Sequence, residues 1–151
     1  MTFGQKLFSF QGRMRRQDFW ICTLVLWAAS VVGGIILFAV FGGGMMSALT
    51  SASQGDPNDP AVVAALVSSV MPFYVACFAL SVVFLWPNLA VSVKRLHDRG
   101  QSGWMVLICI IPFAGFFFWL INMGILDGTP GPNQFGPSPK GLGDDDGMIM
   151  A

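Results

Sequence analysis

The sequence predicts an all-α integral membrane protein with three transmembrane helices, its N-terminus cytoplasmic and its C-terminus periplasmic. Composition, three long uncharged stretches and a one-sided placement of cations carry that expectation. Of the 151 residues 54% are hydrophobic and 11% charged, and the mean hydropathy is +0.66. A soluble domain carries roughly a quarter charged residues, so this surface matches lipid as its solvent. Eight basic residues balance eight acidic ones, all of them Asp. With zero net charge, no global basic field points to nucleic acid.

Residues 1–18 form a basic lead-in. Phe3, Leu7, Phe10 and Met14 recur at helical spacing, with Lys6, Arg13 and Arg16 at other positions. That pattern fits either an interfacial helix on anionic headgroups or a polar lead-in that only sets topology. Residues 19–41 follow, 23 residues without a charge. At about 1.5 Å per residue they reach roughly 34 Å, enough for a hydrocarbon core of about 30 Å. A signal-peptide core runs about 7–15 residues, so this stretch reads as a retained anchor.

Residues 42–60 open with Gly42-Gly43-Gly44 and close with Gly55-Asp56-Pro57-Asn58-Asp59-Pro60. These are turn residues, and a flexible outer loop is expected. The next 31 residues, 61–91, are uncharged. A span over 67–91 with an interfacial lead-in fits their length, with kinks at Pro72 and Pro87. Residues 92–103 hold Lys94, Arg95, His97, Asp98 and Arg99. The second helix is expected to run into this cluster, where its macrodipole favours cations. Gly100 is a candidate left-handed stop and Ser102 a candidate N-cap for the third helix. Residues 104–126, again 23 without a charge, complete a membrane domain of residues 19–126. The Gly/Pro-rich and then acidic tail, 127–151, reads as an extended or disordered tail.

Orientation follows from the cations. Three spans place the lead-in and the 92–103 loop on one side, with seven of the eight basic residues; Lys140 falls opposite, with Asp56, Asp59, Asp127 and Asp144 to Asp146. The positive-inside rule makes the basic side cytoplasmic. Trp20, Trp86 and Trp104 lie near that boundary, where indole rings prefer to sit.

Three separated motifs carry a family resemblance. They are Phe10-Gln11-Gly12-Arg13-Met14-Arg15-Arg16-Gln17-Asp18-Phe19-Trp20, the loop from Lys94 to Trp104 with its Arg95-Leu96-His97-Asp98 core and Ser102-Gly103-Trp104 end, and Asp127-Gly128-Thr129-Pro130-Gly131-Pro132-Asn133-Gln134-Phe135-Gly136-Pro137. In this order, with apolar spans between, the chain over about residues 8–139 resembles the small bacterial inner-membrane proteins of domain of unknown function 805. The resemblance implies a multi-pass helical protein of the bacterial inner membrane and no assigned reaction. The loop 42–60 and the aspartate tail look like additions to the family pattern. From the motifs come the candidate structural residues Gly12, Arg13, Arg16, Trp20, Arg95, His97, Asp98, Ser102, Gly103, Trp104, Gly131, Asn133, Phe135 and Gly136.

Chemistry is sparse. The expected spans carry no Asp, Glu, Lys, Arg or His, the groups a proton or ion path requires. Cys22, Cys77 and Cys109 lie in apolar stretches without metal-ligand spacing and read as small hydrophobes. His97 is the single histidine. Adjacent helical residues diverge by about 100°, so His97 and Asp98 need not face each other, and a structural role is expected over catalysis. No cofactor or metal site is expected. Ala29 with Gly33 and Ser30 with Gly34 give small residues four apart, which let helices pack closely in lipid.

The expected function is a non-catalytic accessory or assembly component packing against other membrane helices or against itself, with anionic headgroups at its basic face. The alternative is a small oligomeric channel or transporter lined by Ser68, Ser69, Tyr74 and Asn122. A third reading is a membrane enzyme using His97, Asp98 and Arg95 on lipid headgroups.

Overall fold

A computed structural model describes residues 2–56 and 59–141. In chain order it contains α1 (Phe3–Phe8), α2 (Arg16–Gln54), α3 (Pro60–Asp98), a 3-10 segment (Gly103–Ile110), α4 (Ala114–Phe118) and a π-helical turn (Trp119–Ile125). Strands are absent among the described residues apart from one isolated bridge, Asn133 to Gly136. The chain divides into two compact units, Met1–Leu26 with Leu85–Ala151, and Trp27–Phe84. Both long helices run from one unit into the other.

The unit Trp27–Phe84 is a helical hairpin. Gly33 faces Leu80, and Gly55 faces Val62 across the turn. The segment 42–60, expected as a flexible loop, is helical as far as Gln54. Three glycines cost about 1 kcal/mol each in a helix, but Gly42 is buried against Phe38 of its own helix. Beyond them the hydroxyls of Ser47, Thr50, Ser51 and Ser53 donate to carbonyls one turn back on α2. The turn itself is short, because Asp59 and Pro60 start the next helix. The Asp59 carboxylate accepts from Ala61 N at 2.8 Å, and Pro60 takes the first helical position, where no donor is needed. From there α3 stays helical through Pro72 and Pro87.

Each long helix has 39 residues, about 58 Å, and both are long and apolar enough to cross a membrane. In the most apolar stretch of α2 only 6% of residues are buried, and in that of α3 none. A core helix of a soluble protein would be mostly covered.

The other unit corrects the expected third span. Residues 104–126 form a hairpin. The eight residues of the 3-10 segment rise about 16 Å. The chain reverses at Ile111-Pro112-Phe113, and the five residues of α4 and seven of the π-turn run back. Phe113 has φ 62° and ψ −59°, and Ala114 N donates to Pro112 O at 2.7 Å. This is a γ-turn, a strained conformation for a bulky residue. Pro112 contributes no donor that would need a partner at the tip. Gly115 closes the arms, because a Cβ there would lie 2.6 Å from the Cys109 carbonyl oxygen. Length and lack of charge are equally compatible with a crossing and a hairpin; the reversal is encoded in Pro112 and Gly115.

As a result the two ends of the 104–126 segment meet. Arg99 Nη1 donates to Asp127 O at 3.2 Å, and Thr129 N donates to Asp98 O at 2.8 Å. The expected placement of residues 127–139 across the membrane from the 92–103 loop is incompatible with these bonds. The tail is also more ordered than its composition implied, at least to Gly141. Asp144 to Asp146 lie outside the described residues.

Candidate functional site

The helix that runs past Val91 must satisfy its last carbonyls. Gly100, at φ 69°, ends it as expected. Arg99 N and Gln101 N both donate to Leu96 O at 3.0 Å, and Gly100 N donates to His97 O at 3.0 Å. The remaining capacity is filled from far along the chain. Thr129 N and Oγ1 donate to Asp98 O, and Asn133 Nδ2 donates to His97 O at 2.9 Å. Asn133 Oδ1 in turn accepts from Phe135 N, and Asn133 and Gly136 exchange backbone hydrogen bonds. The tail is therefore a cap for α3, held by a small internal loop.

Two arginines lock this cap. Asp98 is buried and accepts from Arg13 Nε at 3.1 Å and from Arg95 Nη1 at 2.5 Å. Arg13 Nη1 also donates to Gly131 O at 2.7 Å and Gly136 O at 3.3 Å. Its Nη2 reaches Thr129 O at 2.7 Å, Thr129 Oγ1 at 3.2 Å and Asp98 O at 3.4 Å. Arg95, 0% exposed, donates through Nε to Met123 O at 2.7 Å, through Nη1 to Met14 O at 3.3 Å and through Nη2 to Leu126 O. It thus caps the return arm of the hairpin, where helical carbonyls lack partners. Burial lowers the Arg95 pKa and the Asp98 charge partly restores it; a guanidinium stays protonated all the same. Gly128 must be glycine, since a Cβ there would overlap the Asp98 carboxylate.

Lys94, also 0% exposed, has no carboxylate within 4 Å among the described residues. Its ammonium donates to Gln5 O at 2.8 Å and Lys6 O at 2.5 Å, the last turn of α1. Burial lowers its pKa to about 8. A Thr2–Gln5 capping box starts α1, and Trp86 Nε1 donates to Phe8 O at its end. The predicted apolar stripe is only partly helical: Leu7 and Met14 are buried, while Phe10 lies beyond α1 and meets Trp86 edge-on.

His97 and Asp98 do diverge. The imidazole stacks on Phe135 with centroids 3.9 Å apart and planes 7° apart. Burial lowers its pKa, partly offset by the Gly12 backbone, and the ring serves as a flat wall for the tail. Gly103 packs against Val93 and His97.

The structure therefore gathers Gly12, Arg13, Arg95, His97, Asp98, Gly103, Gly131, Asn133, Phe135 and Gly136 into one cluster. Other candidates stand outside it. Arg16 is exposed, donates to Ile125 O at 2.8 Å and lies 3.7 Å from Asp127. Lys140 and Arg16 hold the Asp127 pKa below its usual value. Trp20 Nε1 donates to Gly124 O at 3.1 Å, and its ring meets Trp119 edge-on. Ser102 occupies the N-cap position of the 3-10 segment, but its side chain makes no cap bond. Trp104 is 79% exposed. Sequence reasoning did not single out Lys94, Gly128 or Thr129, although all three lie inside the quoted motifs.

The sequence pattern of the family described as "Protein of unknown function (DUF805)" matches residues 7–137. The chain belongs to the DUF805 family. All three motifs of the cluster fall inside that match. Among relatives, the chain is 34% identical to "Uncharacterized protein YiiR" of Escherichia coli (strain K12), covering 90% of this chain and 89% of that one. It is 30% identical to "Inner membrane protein YhaI" of the same organism, over 87% of this chain and 86% of the relative. A shorter match, 48% identical, covers 38% of this chain and 46% of "Inner membrane protein YhaH". No solved structure matches. Together with two apolar helices of crossing length, these relatives support an inner-membrane location for this DUF805 chain.

Proposed function

We propose that the protein is a non-catalytic accessory or assembly component of the bacterial inner membrane, crossing it twice. In this reading α2 and α3 cross, the hairpin 104–126 enters about halfway from the cytoplasmic side, and both termini are cytoplasmic. The cation distribution supports this topology. All eight basic residues, Lys140 included, belong to the unit that holds both ends of the chain, while Asp56 and Asp59 belong to the other.

The observation that carries the non-catalytic reading is the engagement of both buried guanidiniums and of Asp98 by the chain itself. Arg13 and Arg95 direct their donors at the chain's own carbonyls and at Asp98, so the ionisable chemistry holds three chain segments together. Of the hydroxyls on the long helices, those of Ser30, Ser68, Ser69 and Ser81 each donate to a carbonyl three residues back, which leaves them less available to line an aqueous path. Of the predicted small-residue rows, Ala29–Gly33 faces inward at Gly33, which meets Leu80. Gly34 in the Ser30–Gly34 row has open space where a Cβ would stand, so that row is free for another helix. Blue-native electrophoresis after mild crosslinking in native membranes tests the proposal. A discrete complex larger than the monomer is expected, and Gly34→Leu is expected to weaken it. A chain that runs only as a monomer would contradict it.

A further inference from the structure

We propose that the cleft beside Arg15 binds the phosphate of an anionic phospholipid headgroup. The cleft, about 440 Å³, is lined by Lys6, Arg13, Arg15, Asp18 and Ser138 among others. A second, of about 270 Å³, shares Arg13, Arg15, Ser138 and Pro139 with it. The cations differ in what they have left to give. Arg13 spends its donors on Asp98 and the tail, and Lys6 pairs with Asp18 at 2.7 Å. Exposed Arg15 donates only through Nε, to Pro139 O, among the described residues. Its Nη1 and Nη2 remain, a planar fork matched to two phosphate oxygens. Buried Ser138 accepts from Lys140 N at 3.4 Å and retains its own hydroxyl proton for a further acceptor.

Helix α1 identifies the source of the phosphate as lipid. Lys6, one wall of the cleft, sits between exposed Phe3 and Phe8 on a helix held by Lys94 and Trp86. Cations beside exposed aromatics on a short docked helix suit the headgroup–acyl boundary. The inference rests on the cytoplasmic-face reading above, but lipid retention in vitro does not depend on insertion direction, so the two fail separately.

The test uses the full-length protein in nanodiscs of phosphatidylethanolamine and phosphatidylglycerol, with native mass spectrometry of the lipids retained. The wild type is expected to retain phosphatidylglycerol preferentially. Arg15→Gln should reduce that preference about tenfold, the lower end of what a hydrogen bond to a charged group contributes. Arg16→Gln removes the same charge from a residue that lines neither cleft and already faces Asp127 at 3.7 Å, and should change it less than about twofold. Melting temperatures verify folding; Arg15→Lys, which keeps the charge without the fork, replaces the glutamine variant if that unfolds and should also lose preference. Equal losses in the Arg15 and Arg16 variants, no preference in the wild type, or complete displacement by soluble glycerol phosphate would each overturn the proposal.

Discussion

Replacing Asp98 by Asn is expected to destabilise the fold by about 3–5 kcal/mol, the cost of leaving buried charges without their counterion. The substitution keeps the shape and removes the one carboxylate that Arg13 and Arg95 share. Both guanidiniums are nearly sealed from solvent, with side-chain exposures of 2% and 0%, so water cannot take its place. Melting of the purified protein in detergent, followed by size-exclusion chromatography, measures the effect, and loss from the membrane fraction is its cellular counterpart. Asp18→Asn is the internal control. Its partner Lys6 is 27% exposed on the side chain, and surface pairs contribute about 1 kcal/mol or less. Similar melting of the two variants would mean that the buried cluster is not what holds the tail.

Gly115→Val is expected to cost about 3 kcal/mol, at the upper end of ordinary overpacking. A Cβ at this position would lie 2.6–2.7 Å from the oxygen, carbon and Cα of Cys109. These are backbone atoms and cannot rotate away, so the hairpin arms must separate. Gly34→Val is the fitting comparison, because a Cβ there meets nothing within 4 Å. Melting temperatures of the two variants measured together read the difference. An unaffected Gly115→Val would show that the arms do not pack at that point.

Much of the helical architecture was legible because the hydrophobic spans are long and the cations one-sided. The motif residues Arg13, Asp98 and Asn133 were visible as well, but their union was not. Arg13 and Asp98 are 85 residues apart, and a single sequence does not show which cation a carboxylate chooses. The hairpin was hidden for another reason. Twenty-three uncharged residues match one crossing in length, and a fold that turns back at Pro112 has the same composition. Asp59-Pro60 fits a turn, although the same pair is also an N-cap followed by a first-position proline. Composition alone predicts an extended or disordered tail, because Gly and Pro cannot build a core, yet this tail needs none. It supplies Thr129 and Asn133 to carbonyls that α3 leaves unpaired.

The measurement that bears most directly on the two-crossing topology is a pair of reporters fused after Ala151, green fluorescent protein and alkaline phosphatase. Both ends of the 104–126 segment meet at Asp98 and Thr129, so the expected outcome is fluorescence without phosphatase activity, with Arg13→Ala leaving the side unchanged. An active phosphatase after Ala151, with no fluorescence, would mean that residues 104–126 cross the membrane after all.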